Sequence, residues 1–482
     1  MYLSTFFANA TPALPEIALL SMTCIVLLAD LFFSRLCPRI PYYLTQLALL
    51  GVICLSLCAL NKPQTSAFFG MFMADPLSSL LNVFICLTSL FSFLYARSFL
   101  EETKMPLGEY YTLGLFSVLG MMLMVSSQNF LPLFLGLELQ SLPLYAMIAL
   151  RRSSGIASEA AMKYFIMGSL ASAMLLYGIS LLYGVTHSLS ISEAAIIFSQ
   201  GTATHNTVFA CALVFIIAGI AFKFGAAPFH AWAPDVYQGA PSIVTLFLGS
   251  APKIAMLGFT FKFLVQAMPT LQTQWQLFFI ILAVLSMALG NIVAVVQTNF
   301  KRMLAYSSIS HMGYMLLGLI SGTQAGYAAA TFYIIAYAFM TLAGFAMIAL
   351  LSKAGVEAES IKDFQGLNYK HPWLAFLVMV VMFSMAGVPP TIGFFAKLSV
   401  LQALVQVDLV WLAALALIFS VIGAYYYIAV IKTMYFDQPE KSTPFPTLPL
   451  DATIAISVNG LLLLILGLFP SGLIELCNKV FL

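Results

Sequence analysis

Runs of about twenty apolar residues, separated by short polar stretches, recur along the whole chain. That length suits a membrane-crossing helix, because about twenty residues at ~1.5 Å each span a hydrocarbon core of about 30 Å. The runs place spans at 14–33, 43–60, 76–96, 108–125, 129–149, 159–184, 207–235, 241–266, 275–296, 303–320, 326–351, 372–403, 409–431 and 452–474. The period-two alternation of a membrane β-barrel is absent. The pattern therefore predicts an all-α polytopic membrane protein with about fourteen transmembrane helices. The seventh and twelfth runs are too long and too rich in proline to be single straight helices, so each is expected to be broken. They lie five spans apart, and an odd displacement reverses direction across the membrane. Spans four to eight and nine to thirteen thus predict two five-helix inverted repeats, each with a Pro-broken helix. The domain division that follows is 1–104, 105–267, 268–434 and a C-terminal helix in 435–482.

Composition narrows the class. Of 482 residues, 62% are hydrophobic and 8% charged, against about 25% charged in a soluble domain. A disordered chain, a nucleic-acid binder with a basic face and a disulfide scaffold are excluded. The first charge is Glu16, and no basic stretch precedes the first span, which is expected to be retained with its N-terminus outside.

Basic residues assign the sides. Arg35, Arg39, Arg97, Lys104, Arg151, Arg152, Lys301, Arg302, Lys353, Lys362, Lys370, Lys432 and Lys441 fall in loops on one side, against Lys62, Lys262 (near a helix end) and Lys479 on the other. This bias marks the first side as cytoplasmic or matrix-like and puts both termini on the outer side. The seven cysteines, Cys24, Cys37, Cys54, Cys58, Cys86, Cys211 and Cys477, lie mostly in apolar spans and read as packing residues.

Four remaining lysines and one glutamate sit at membrane depth, where each costs about 2.5–3.5 kcal/mol and needs a partner or a wet cavity. Glu138 lies in FLPLFLGLELQSLPLY and Lys163 in SEAAMKYFIMGS, at comparable distances from Arg151 and Arg152. An antiparallel helix pair would bring them to similar depth, either as a structural lock or as a working ion pair. Lys223, in GIAFKFGAAPFHAWAPDVYQGAPS, is followed by Gly225, Pro228, His230, Pro234 and Asp235. Proline breaks the helix there, and broken helices at membrane depth mark ion sites in transporters. Lys397 follows Gly387, Pro389, Pro390 and Gly393, while Lys253 follows Pro252 near mid-membrane. His230 and His311 add groups that titrate near neutral pH. At an effective dielectric of ~20, a carboxylate ~6 Å from a lysine stabilises its charge by about 3 kcal/mol, so a small movement could switch it. Water between such lysines would make a proton relay. There is no nucleotide-binding fingerprint, P-loop, iron–sulfur cysteine spacing or metal cluster in the sequence. Energy must come from an ion gradient or from partner subunits.

The stretches FLGLELQSLPLY, AFKFGAAPFHAWAPDVYQGAPS, NFKRMLAYSSISHMGYM and AGVPPTIGFFAKL closely resemble the antiporter-like membrane subunits of proton-pumping NADH:quinone oxidoreductase, respiratory complex I. The superfamily also includes subunits of multisubunit Na⁺/H⁺ antiporters and membrane-bound hydrogenases. The likeness covers nearly the whole chain and is strongest between about 105 and 435. DVYQGAP and Lys397 resemble the N-type form, since the M-type typically has glutamate at the latter position. The long lateral helix expected of the L-type is lacking.

The resemblance implies that Glu138 and Lys163 form a coupling ion pair and that Lys223 is the central relay lysine. It makes Lys253 the link between two half-channels and Lys397 the outlet-side lysine, with His230 in support; His311 is a further supporting candidate from its own polar surroundings. It further implies a non-redox subunit of a proton-pumping translocase in a bacterial inner membrane, with no cofactor in this chain. NADH, FMN, iron–sulfur clusters and quinone belong to partner chains, and the M-, K-, J- and A-type membrane subunits are the expected neighbours in the lipid bilayer. A subunit of a cation/proton antiporter, or a structural membrane subunit without its own proton path, remain the alternatives.

Overall fold

The structure, a computed structural model, describes residues 10–33, 36–200, 207–352, 357–438 and 449–481. Arg35, Lys353 and Lys441, counted above among the basic loop residues, lie outside them. Among the described residues, thirteen helices are long and apolar enough to cross a membrane, and two shorter apolar helices divide the twelfth predicted span.

The first three spans are α1 (Leu14–Phe33), α2 (Ile40–Leu60) and α3 (Pro76–Thr103), with a small hairpin of β1 (Thr65–Ala67) and β2 (Phe72–Ala74) between the last two. The first repeat contains α4 (Leu107–Ser126), α5 (Phe130–Ile148), α6 (Gly155–Thr186) and α7 (Thr207–Phe224). It continues with α8 (Trp232–Gly239), α9 (Ser242–Gly249) and α10 (Ala251–Thr260), the last running into a wider π-helical turn at Phe261–Gln266. The second contains α11 (Gln272–Val295), α12 (Phe300–Ile320), α13 (Gln324–Leu351), α14 (Pro372–Ala386), α15 (Ile392–Gln406) and α16 (Val410–Phe436). Helix α17 (Leu450–Leu468) follows. The long seventh span thus ends at Phe224, and its last predicted turns belong to the separate helix α8.

Polar caps set the helix starts. The side chains of Asp75, Asn129, Ser154, Asn299 and Thr323 accept hydrogen bonds from the first-turn amides of α3, α5, α6, α12 and α13, which lack intrahelical partners.

The repeats are visible in backbone detail. Asn129 bridges Ser190, and Asn299 bridges Ser360 in the same antiparallel manner, a shift of 170 residues on both strands. The helix pairs α4–α5 and α11–α12 are in the most intimate contact in the molecule. A Cβ added at Gly120 would lie 2.4 Å from the Gln140 nitrogen, and one at Gly290 would lie 2.6 Å from the Ser310 nitrogen. The same 170-residue shift relates those contacts, and only glycine lets the backbones approach that closely. Helix α13 and the α9–α10 segment form the buried centre, whereas α1, α2, α16 and α17 expose apolar flanks.

Candidate functional site

Helix α7 stops at Phe224 in mid-bundle, leaving carbonyls that the interior must satisfy. The Trp232 indole donates to the Phe222 carbonyl at 3.0 Å. Lys253, 2% exposed on α10, donates to the Lys223 carbonyl at 3.2 Å and to the Phe224 carbonyl at 2.6 Å. The Ala227 amide beyond the break donates to the Ser286 hydroxyl at 2.9 Å. Gly225 turns the chain at φ +68°, a conformation that favours glycine.

The ammonium of Lys223 takes no part in this backbone repair. It donates to the Ser141 hydroxyl on α5 at 2.8 Å. No carboxylate lies within ion-pair distance of it among the described residues, but Glu138, nearly one turn from Ser141, is within Coulombic reach. Glu138 Oε1 is buried without a protein partner, as are Gln140 Oε1 on the same helix and Ser172 Oγ on α6. Buried polar atoms of this kind are ordinarily satisfied by water. His230 is half-buried beside the break, and its Nδ1 also has no protein partner.

The predicted pairing of Glu138 with Lys163 is not present. Lys163 is bonded to Glu159 at 2.9 Å and to Asp235 at 2.8 Å. Asp235 in turn holds Arg302 at 2.8 Å, so this chain of charges lies at the end of the bundle that carries Arg302. The next residue, Tyr164, packs against Tyr145 with ring centroids 4.8 Å apart. Tyr145 is seven residues beyond Glu138, about 10 Å along the helix. Counting residues from Arg151 and Arg152 missed this because α6 begins only at Gly155, leaving Lys163 in its third turn with an ammonium that reaches the surface.

The second break lies between α14 and α15. Gly387, at φ +85°, closes α14 in the left-handed region. Lys397 on α15 folds back over it, donating to the Ala386 carbonyl at 2.8 Å and the Ser420 hydroxyl at 3.0 Å. Its ammonium lies 5.0 Å from the centre of the Tyr314 ring, as that of Lys253 lies 5.5 Å from Trp232, distances at which an aromatic face attracts a cation. Lys223 precedes its break whereas Lys397 follows its own, so the two lysines do not occupy equivalent positions.

Buried His311 on α12 joins this side. Its Nδ1 is 2.7 Å from the Tyr333 hydroxyl and its Nε2 3.1 Å from the Tyr427 hydroxyl. Tyr427 also bonds Ser307, and Tyr337 donates to Ser308 at 2.6 Å. Shifted by the repeat of 170, Glu138 corresponds to Ser308, Ser141 to His311 and Lys163 to Tyr333. The two ionic positions of the first repeat are hydroxyl positions in the second, and a hydroxyl position of the first is an imidazole in the second. The tyrosines escaped sequence reading because a tyrosine in an apolar span looks like packing.

Two lysines counted as loop charges are in fact buried. Lys301, 1% exposed, pairs with Glu357 at 2.9 Å and donates to the Ala240 carbonyl at 2.6 Å. Glu357 also accepts from the Ser242 amide at 3.2 Å, at the start of α9. Lys262, also 1% exposed, pairs with Asp75 at 2.8 Å. Among the described residues, no group of three His, Cys, Asp or Glu side chains is placed to hold a metal ion.

Comparison with known proteins matches residues 127–423 to the NADH:quinone oxidoreductase/Mrp antiporter transmembrane family. NADH-quinone oxidoreductase subunit N of Thioalkalivibrio sulfidiphilus is 53% identical over 468 residues, covering 97% of each chain. The protein of the same name from Coxiella burnetii is 51% identical over 477 residues, covering 98% of this chain and 99% of that one. Among solved structures, a chain of respiratory complex I from Thermus thermophilus superposes with a TM-score of 0.82 at 32% identity, covering 96% of this chain and 98% of the other. A chain of the Mrp complex from a Dietzia species reaches a TM-score of 0.85 at 20% identity, covering 98% and 96% respectively, and shares the fold.

Proposed function

The chain belongs to the NADH-quinone oxidoreductase subunit N family, and from that premise we propose that it carries protons across the membrane for its complex. It is an antiporter-like, multi-pass membrane subunit of respiratory complex I. In this reading it acts as a non-redox part of the translocase. NADH, FMN, iron–sulfur clusters and quinone are handled by partner chains, and M-, K-, J- and A-type subunits are its membrane neighbours. The membrane is a bacterial inner membrane, with both termini on the periplasmic side.

One observation carries the proposal. Lys223 sits at a helix break inside the bundle, its ammonium bonded to a neutral hydroxyl and a carboxylate within Coulombic reach. Such a lysine is free to change charge, because the backbone of the break is held by Lys253 instead. Displacement of Glu138 relative to Lys223 changes the stability of the lysine's charge by an amount of order 1–3 kcal/mol at an effective dielectric of ~20. A proton released from Lys223 passes by way of water to Lys253, through the hydroxyls and imidazole around His311, and to Lys397. Quinone reduction in a partner subunit supplies the movement that shifts the Glu138–Lys223 balance.

The test is the proton-to-NADH ratio of the intact complex reconstituted in vesicles. Lys223→Met is expected to lower that ratio while NADH oxidation in uncoupled vesicles continues. An unchanged ratio in a fully assembled Lys223→Met complex would remove Lys223 from the path.

A further inference from the structure

A buried acid outside the lysine line is left unused by this mechanism. Glu16 stands in the first turn of α1 and is 4% exposed. The Ser126 hydroxyl donates to its Oε1 at 2.9 Å, and the Asn82 amide donates to the same oxygen at 3.1 Å. Its Oε2 has no protein partner, and neither has Asn82 Oδ1. Ala13, Ile17, Leu20, Phe72, Leu119 and Pro132 join Glu16 in lining an open recess of about 330 Å³. Almost everything that recess presents is hydrocarbon.

The surrounding charges do not compensate the carboxylate. Among the described residues, no Lys, Arg or His lies within ion-pair distance of Glu16. Lys262 and Asp75, two turns before Asn82 on the α3 side, are bonded to each other. Cys86 on α3, the titratable neighbour within Coulombic reach, adds no positive charge. Helix α4 contributes Ser126, while the α2 cysteines Cys54 and Cys58 are exposed.

An unpaired carboxylate removed from water costs several kcal/mol even after relaxation. The helix N-terminus returns only about 0.3–1 kcal/mol, up to about 2 in partly buried cases. A proton on Oε2 removes the charge and converts an acceptor without a partner into a donor, in a cluster holding a second such acceptor.

We propose that Glu16, cradled by Asn82 and Ser126, is a proton-binding site separate from the lysine line, reached by apolar carboxyl-reactive molecules through the recess beside it. The chemistry that recognises such a group is that of a hydrophobic carbodiimide. The acid proton moves to one nitrogen of the reagent and the carboxyl oxygen adds to its central carbon. Transfer of the acyl group to nitrogen then leaves a stable N-acylurea, with every atom of both molecules retained.

The experiment treats the intact complex in detergent with dicyclohexylcarbodiimide and locates the adduct by peptide mass spectrometry. Glu16 is expected to gain one reagent molecule, at a rate that falls about tenfold per pH unit above the midpoint of the acid. Glu16→Gln should lack that adduct and should also lose the infrared carbonyl stretch of a protonated carboxylic acid. The proposal is overturned if Glu16 stays unmodified while other carboxyls of the complex react, or if its labelling does not decline as pH rises. Protection by Na⁺ at constant pH would overturn it as well, because the two free oxygens would then be a cation site. None of these outcomes depends on whether Lys223 carries protons, so the two proposals fail separately.

Discussion

The two broken helices solve one backbone problem with different numbers of lysines. At the first, Lys253 holds the carbonyls that end α7, and Lys223 is left with a bond to Ser141. At the second, Lys397 alone bonds the Ala386 carbonyl and the Ser420 hydroxyl. In the proposed mechanism, this division leaves one ammonium at the first break without a backbone task, whereas at the second a single lysine has both roles. The surroundings differ in the same sense. Glu138 Oε1 has no protein partner, while His311, Tyr333 and Tyr427 satisfy one another directly.

The largest effect should come from Lys253→Met. It strands two buried carbonyls, at about 1–3 kcal/mol each, so both the amount of assembled complex in the membrane and its pumping should collapse. Lys223→Met should assemble far better, since no carbonyl depends on it. Equal loss of assembled complex from both variants, measured on native gels, would erase the proposed division of labour.

Next in size is a pair of glycine substitutions. At Gly387 a Cβ would lie 2.9 Å from the Lys397 side chain at φ +85°, whereas at Gly225 the nearest atom is 3.6 Å away at φ +68°. Gly387→Ala should therefore cost about 1–3 kcal/mol, and Gly225→Ala about 1 kcal/mol. The melting temperature of the purified complex reads the difference, and the reverse order would mean that Lys397 yields more easily than its bonds suggest.

Of similar energy, but confined to single hydrogen bonds, are the hydroxyl deletions. Ser141→Ala removes one bond to an ammonium and Tyr427→Phe removes one hydroxyl shared by His311 and Ser307. At about 1–3 kcal/mol for the bond to a charged group and about 1 kcal/mol for a neutral one, Ser141→Ala should lower the pumping rate more. If Tyr427→Phe proved the more damaging, direct contacts in the second repeat would matter more than the charge in the first.

The smallest effect is expected from Asp235→Asn. Its partners Lys163 and Arg302 are 40% and 32% exposed at the side chain, and ion pairs so near solvent contribute about 0–1 kcal/mol. Proton-to-NADH ratios should stay within about twofold of the parent. A large loss would return Lys163 and its carboxylates to the centre of the mechanism.

Much of this was legible in the chain. Spans follow from the apolar runs, and the breaks follow from Pro228 and from Pro389–Pro390 beside glycines. Lys223, Lys253 and Lys397 stood out because a lysine inside such a run is rare. The partner of Lys163 was not legible, since residue counting says nothing of where α6 begins or which way an ammonium leans. Lys262 and Lys301 read as loop charges because they lie near span ends, yet neighbouring helices cover them. The sequence marks Glu16 only as the first charge of the chain and says nothing of what covers the first turn of α1.

The sequence by itself determined where the apolar spans run, where two helices break and that Lys223, Lys253 and Lys397 enter the bundle. Those properties depend on position along one helix axis, where hydrocarbon thickness and the missing proline N–H act locally. Only the tertiary structure decided which lysine repairs a break and which bonds a neutral hydroxyl instead, that Glu138 lies within Coulombic reach of Lys223 and forms no ion pair with Lys163, and that a second acid lies buried beside an apolar recess. Those depend on rotation and depth of one helix against another, which are set by close glycine contacts and side-chain packing between residues far apart in the chain.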